Sequence, residues 1–330
     1  MIYSILLLVV GFVILIKGAD FLVSGASSVA KKYGISNLAI GLTVVAFGTS
    51  MPEMIVSLLA ALNGKTDAAF GNIIGSNNLN ILLILGMSGI IYPLVVQNNT
   101  IKFEVPISLL AAIALFLLVN DTLLWGAYPS AVEPNILSRL DSSILLLFFL
   151  GFLLYIYRGM RNKTDVEEGE PIKSYSTPIA SGMVLLGVGM LIGGGQLVVD
   201  NAIEIAKHFN MSEKLIGLTI LATGTSLPEL ATSCVAAYRK NTDIAIGNVV
   251  GSNIFNISLI LGVTGMVNPI PYNVVMNTDI YVLFGATALL LIFMFTMSTR
   301  KLDRWEALLF LVFYITYTVY LVGTDSGGTV

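Results

Sequence analysis

Apolar residues run in long stretches along most of this chain, and polar residues gather in short segments between them. Ten stretches are long enough for membrane helices: roughly 2–24, 37–62, 69–92, 103–120, 138–158, 178–199, 213–238, 247–268, 279–296 and 304–322. Several hold about 18 or more nearly uncharged residues, the length that crosses a ~30 Å hydrocarbon core. They are continuous and do not alternate in ~10-residue segments, so the pattern predicts an all-α polytopic membrane protein and excludes a β-barrel. The second, third, seventh and eighth stretches are broken by Gly, Pro, Ser and Asn.

The break in the second stretch reads AFGTSMPE, Ala46 to Glu53, and a similar octet, ATGTSLPE, returns at Ala222 to Glu229. Residues 48–53 match 224–229 at five of six positions, and 71–86 match 247–262 at eleven of sixteen. One offset of 176 residues serves both blocks, so the chain reads as an internal repeat. Residues 1–158 form a first five-helix unit, 159–177 a linker and 178–330 a second unit. Five spans per unit is an odd number, so the second copy crosses the membrane in the opposite sense. Inverted copies of this kind offer two related packings, one open to each side.

Composition agrees with the membrane assignment. The 330 residues are 56% hydrophobic and 11% charged, against roughly 25% charged in a soluble domain. The net charge is −3 and no basic cluster points to nucleic acid. The single cysteine, Cys234, excludes an internal disulfide and reads as packing. Met1 to Val13 has no basic leader and continues into further spans, so it reads as a retained first helix. Lys and Arg number twelve in the loops on the side opposite the termini and four on the termini's own side. That bias predicts a multi-pass cell-membrane protein with both termini extracellular and the acidic 159–177 loop cytoplasmic.

The polar residues inside the spans carry the chemistry. Pro52 lacks an amide hydrogen and Gly48 adds freedom, so the helix should be interrupted near 46–50, freeing carbonyls such as that of Ala46. Irregular backbone at membrane depth is tolerated where it lines a cavity or binds something. Thr49, Ser50 and Glu53 present oxygens at one level, with Thr49 and Glu53 four apart. The third span adds Ser76 and Asn80, also four apart, with Asn72 and Asn77 as further polar groups. The second unit supplies Ala222, Thr225, Ser226 and Glu229, then Ser252 and Asn256. Asn72 and Asn248 read as caps or braces for the third and eighth helices.

The set holds carboxylate, hydroxyl, amide and backbone oxygen, with no histidine or cysteine. Zinc and other transition metals prefer nitrogen or sulfur; an all-oxygen, flexible set suits Ca²⁺, or Na⁺ of similar size. Two carboxylates are balanced by one Ca²⁺, by two Na⁺ or by two protons. His208 reads as a lone surface loop residue. Asp20 and Lys17, three apart late in the first span, read as a pair or as snorkelling residues. Asp200 and Glu204 on the outer side read as solvated or, like Asp67, as attracting cations at the entrance; Asp243 matches Asp67 but lies inside. No nucleophile–base pair, metal–histidine set or nucleotide-binding loop is visible, so neither an enzyme nor a bound cofactor is expected.

GTSMPE and GTSLPE, each followed by GNxxGSN and a later Asn, resemble the two alpha-repeats of the sodium/calcium exchanger family within the calcium/cation antiporter superfamily. The resemblance spans nearly the whole chain. It implies ten helices in two inverted five-helix halves, with the first and sixth long, tilted and sliding across eight shorter ones. It implies exchange of Na⁺ against Ca²⁺, with those ions and the bilayer as the only partners and function as a monomer. By resemblance Glu53 and Glu229 would be central carboxylates serving both ions. Thr49, Ser50, Ser76 and the Ala46 carbonyl would line the first half; Thr225, Ser226, Ser252 and the Ala222 carbonyl would line the second. Asn80 would sit at the central level with Asn256 as its mate. Several members carry Asp at one of these two positions, and this chain has Asn at both. Proton-coupled cation antiport on the same fold and a passive cation channel are the alternative readings.

Overall fold

The computed structural model describes residues 2–125, 135–161, 175–209, 222–296 and 300–326. Its main helices are α1 (Ile2–Tyr33), α2 (Asn37–Thr49), α3 (Met51–Leu62), α4 (Thr66–Ile91), α5 (Thr100–Val119), α6 (Arg139–Arg161), α7 (Thr177–His208), α8 (Leu227–Tyr238), α9 (Thr242–Val267), α10 (Asn277–Phe293) and α11 (Arg304–Ser326). Among the described residues eight helices are long and apolar enough to cross a membrane, and the bent pair α2–α3 makes nine. The predicted seventh span starts at 213, in a segment outside the described residues, and α8 is its described end. Most of the linker, 162–174, also lies outside them.

Two predicted spans are too short. The first was expected to end at 24 and the sixth at 199, yet α1 and α7 each run for 32 residues. At 1.5 Å per residue that is ~48 Å. The apolar run stops at Gly25, but GASSVAKKY holds nothing that breaks a helix, so the backbone continues to Tyr33. His208 accordingly ends α7 as an exposed residue of its last turn, not of a loop.

α1 and α7 pack antiparallel along their length. Gly11 lies against Gly194, Gly18 against Gly187 and Gly25 against Ala180, one contact every seven residues on each helix. A Cβ on Gly18 would stand 3.0 Å from the Gly187 carbonyl oxygen, and one on Gly187 only 2.8 Å from that of Gly18. Small residues let backbones approach where lipid gives no hydrophobic drive for association.

The interior belongs to α4 and α9. Of their most apolar stretches 78% and 94% is buried, against 17–39% for the other spans. Each contains a π-helical turn, Asn80–Ile84 in α4 and Phe255–Leu261 in α9. Such turns re-aim side chains and recur at functional sites. The two halves also exchange short strands. β1 (Leu94–Val95), after α4, pairs antiparallel with β4 (Lys301–Leu302), before α11; β2 (Ile136–Leu137), before α6, pairs with β3 (Ile270–Pro271), after α9.

Candidate ion-binding site

The site starts from two breaks. Pro52 and Pro228 lie in the first turns of α3 and α8, where a missing amide hydrogen costs nothing. The serine before each helix leaves helical geometry, Ser50 at φ −82°, ψ 7° and Ser226 at φ −90°, ψ 7°. At Ser50 the chain bends by 47° between α2 and α3. The break falls at residue 50, within the expected 46–50, but the Ala46 carbonyl is engaged rather than freed. It accepts the Ser50 amide at 3.0 Å and the Thr49 hydroxyl at 3.3 Å. Each break also opens a helix N-terminus next to a carboxylate, Glu53 in the first turn of α3 and Glu229 in that of α8, where the helix dipole favours negative charge.

The two halves serve each other's carboxylates. Ser226 donates to Glu53 Oε1 at 2.9 Å, and Ser50 donates to Glu229 Oε1 at 2.8 Å. Each serine also joins the serine of the facing buried helix, Ser226 with Ser76 at 3.0 Å and Ser50 with Ser252 at 2.9 Å. Ser252 reaches Glu229 Oε1 at 3.4 Å. Asn72 donates to the Glu53 carbonyl (3.3 Å) and Ser57 (2.9 Å), and its Oδ1 accepts the Thr225 hydroxyl at 3.1 Å. Asn248 does the same for the Glu229 carbonyl (3.4 Å), Ser233 (3.0 Å) and Thr49 (3.0 Å). Apart from the long Ser252–Glu229 contact, shifting every residue by 176 turns one set of bonds into the other.

What this lattice leaves unsatisfied is as ordered as what it satisfies. Glu53 is 0% and Glu229 1% exposed. Their Oε2 atoms, and the Oδ1 atoms of Asn80 and Asn256, are buried with no hydrogen-bond partner. Among the described residues no basic side chain pairs with either glutamate; Arg239 pairs instead with Asp20, and Lys301 with Asp303. Buried carboxylates without a counter-charge are costly in a low-dielectric interior. Four unpartnered oxygens, two of them from carboxyl groups, are of the kind a hard cation takes as ligands.

Comparison with known proteins agrees. Residues 3–158 and 179–323 match the family described as sodium/calcium exchanger protein. The chain belongs to the sodium/calcium exchanger family. Sodium/calcium exchanger MaX1 of Methanosarcina acetivorans is 30% identical over 96% of this chain and 98% of its own. Inner membrane protein YrbG of Escherichia coli is 37% identical over 82% of this chain and 81% of its own. A solved structure of the sodium-calcium exchanger NCX_Mj, soaked with 2.5 mM Na⁺ and 0.1 mM Ca²⁺, superposes with a TM-score of 0.79 at 32% identity, covering 96% of this chain and 97% of that one.

In this exchanger Glu53, Ser76, Thr225 and Ser226 are joined in one network through Asn72, and Glu229, Thr49, Ser50 and Ser252 in its mirror through Asn248, while Asn80 and Asn256 bond Asn253 and Asn77 in a set of their own. Ala222 opens the short helix Ala222–Gly224, directly after residues outside the described set. Sequence reasoning placed Asn72 and Asn248 only as braces and passed over Asn253. The signal for Asn253 was present: it stands 176 residues after Asn77, in the second GNxxGSN. Asp20 does not need Lys17, since it pairs with Arg239 beyond α8. Of the acids expected at the mouths, Asp243 accepts from Gln97 at 2.6 Å and Asp67 from Asn273 at 3.4 Å, each across the halves.

Proposed function

We propose that this member of the family exchanges Na⁺ for Ca²⁺ by alternating access, with Glu53 and Glu229 as the shared central ligands. The observation that carries the reading is the enclosed pair of carboxylates whose Oε2 atoms, with Asn80 and Asn256 Oδ1, lack any partner. Either load neutralises the cavity. The empty cavity keeps two buried charges and should cross poorly, which favours exchange over leak. Relatives named as sodium/calcium exchangers over nearly their full length support the same ion pair.

The architecture proposed with it is ten spans in two inverted five-helix repeats, 1–158 and 178–330, joined by the 159–177 linker. The antiparallel α1–α7 pair, the exchanged strands and the 176-residue symmetry of the hydrogen bonds support it. The Lys and Arg bias supports extracellular termini and a cytoplasmic linker. Thr49, Ser50, Ser76, Thr225, Ser226 and Ser252 complete the proposed ligand set, and one chain contains both halves of it, so a monomer suffices. The carbonyls of Ala46 and Ala222 belong to the set by resemblance, and Ala46 is the weakest member because its oxygen already accepts two bonds.

The deciding experiment is ⁴⁵Ca²⁺ uptake into proteoliposomes loaded with Na⁺ and diluted into Na⁺-free medium, beside K⁺-loaded vesicles and a separate pH gradient. Uptake requiring internal Na⁺ is the expected result. Uptake driven by the pH gradient alone would move the protein to proton coupling, and uptake needing neither gradient would make it a channel.

A further inference from the structure

The central amides, Asn80 and Asn256, can serve a cation only if they turn oxygen, not nitrogen, toward it. An amide fills nearly the same space in either orientation, so something must choose. The choice is traceable to a backbone atom. The Asn77 carbonyl oxygen accepts from Asn253 Nδ2 at 3.3 Å. A carbonyl oxygen can only accept, so this contact fixes Asn253 with its Nδ2 toward Asn77 and its Oδ1 on the other side. That Oδ1 accepts from Asn80 Nδ2 at 2.9 Å. With its nitrogen so used, Asn80 is left with Oδ1 buried and unpartnered. The mirror chain runs from the Asn253 carbonyl through Asn77 Nδ2 (3.2 Å) and Asn77 Oδ1 to Asn256 Nδ2 (2.9 Å), again leaving Oδ1 of Asn256 unpartnered. All four side chains are at most 1% exposed, so water does not compete for these bonds.

From this relay we infer that Asn77 and Asn253 are positioning residues for ion binding: each sets the amide orientation of the other half's central asparagine. Reversing Asn80 would set its oxygen against Asn253 Oδ1 and its NH₂ toward the cation, two unfavourable contacts at once. The inference rests on the proposed exchange and on Asn80 and Asn256 as ligands. It adds that the two halves set each other's ligands through amide polarity as well as through the Ser–Glu bonds.

A plain structural staple between α4 and α9 would use the same two residues, so the test must separate the roles. Ca²⁺ KM and maximal rate are measured in Na⁺-loaded proteoliposomes for Asn253→Ala alone and in an Asn80→Asp background. A carboxylate presents an oxygen whichever way it turns and needs no orienting partner. The expected result is a rise of about tenfold in Ca²⁺ KM in the first background, the loss of one ligand, and less than about twofold in the second. An equal loss in both backgrounds would mean a staple and overturn the inference. Asn77→Ala, alone and with Asn256→Asp, repeats the comparison in the other half. Asn253→Leu, which removes the acceptor at similar volume, replaces the alanine variant if that fails to fold. An unchanged Ca²⁺ KM in Asn80→Ala would instead remove Asn80 from the ligand set, and a wild-type protein without Na⁺-dependent uptake would remove the exchange reading itself.

Discussion

Residues 46–86 and 222–262 surround two carboxylates with two copies of the same parts, and most of the bonds at those carboxylates have a mirror in the other copy. The loops that follow their motif helices are not. After α3 the chain reads Asn63–Gly64–Lys65; after α8 it reads Arg239–Lys240–Asn241. The backbone is the same in both. Gly64 N–H bonds the Ala61 carbonyl and Lys65 N–H that of Ala60, while Lys240 N–H bonds Ala237 and Asn241 N–H bonds Ala236. The side chains diverge. Arg239 pairs with Asp20 and bonds Ser24 on α1, and Asn241 bonds Ser27, whereas Asn63 turns back onto the Leu59 carbonyl. Symmetry is kept around the two carboxylates and given up where the long helix α1 meets the core.

The largest test of the symmetric region is to neutralise each carboxylate in turn. Glu53→Gln and Glu229→Gln should each lower Na⁺-driven Ca²⁺ uptake at least about 100-fold, a loss of ~3 kcal/mol for a buried charged ligand. Because Ser226 and Ser50 hold them in the same way, the two losses should agree within about threefold. Uptake surviving in either variant, with normal yield and melting, would break the equivalence of the halves.

That equivalence was legible in the sequence as an offset, but its wiring was not. The repeat located Glu53, Glu229 and their hydroxyl neighbours, and apolar length placed most spans within a few residues. Reading each half alone suggested that Thr49 and Ser50 stand beside Glu53. Ser50 in fact serves Glu229, because the bend at residue 50 turns its hydroxyl to the other repeat. Periodicity along one helix holds no information on which helix lies opposite, so a bond spanning 179 residues was out of reach. The length of α1 was missed for a different reason. Hydropathy marks where lipid contact ends, while a helix ends where its backbone loses support, and at Tyr33 these differ by nine residues from the expected end at 24. Asn253 was missed only because the repeat was not followed through every position.

The asymmetric loops allow a smaller effect. Arg239 and Asp20 are about one-third exposed, at 37% and 36%, and a pair of that kind contributes roughly 0.2–1 kcal/mol. If α1 shifts against the core during access switching, this tie favours the arrangement in which it is made. Arg239→Ala should then change the ratio of apparent Ca²⁺ affinities measured from the two membrane faces by up to about fivefold. Asn63→Ala, at the mirrored position, should leave that ratio unchanged. The Arg239 effect should also shrink in high salt, since the pair is accessible to screening ions. Equal responses at 63 and 239 would mean that the difference between the loops is decorative.

The smallest expected effect isolates the backbone of the same loops. The cap that ends α3 and α8 requires a left-handed residue after the last turn. Gly64 fills it at φ 70°, but its mirror is Lys240 at φ 58°. A lysine there holds its Cβ close to a carbonyl oxygen, at a cost of roughly 1–2 kcal/mol. Glycine avoids that clash but gives the unfolded chain more freedom, which takes back about 0.4–1 kcal/mol. Lys240→Gly should therefore stabilise the protein by about 0.5 kcal/mol, and Gly64→Lys should destabilise it by a similar amount. Thermal melting in detergent, run as a matched pair, gives the sign of each. Transport should hold in both, because neither residue belongs to the cavity lattice. If Lys240→Gly lowers the melting temperature instead, the lysine side chain contributes more to the α8 loop than its backbone strain costs, and the asymmetry between the two loops is itself stabilising.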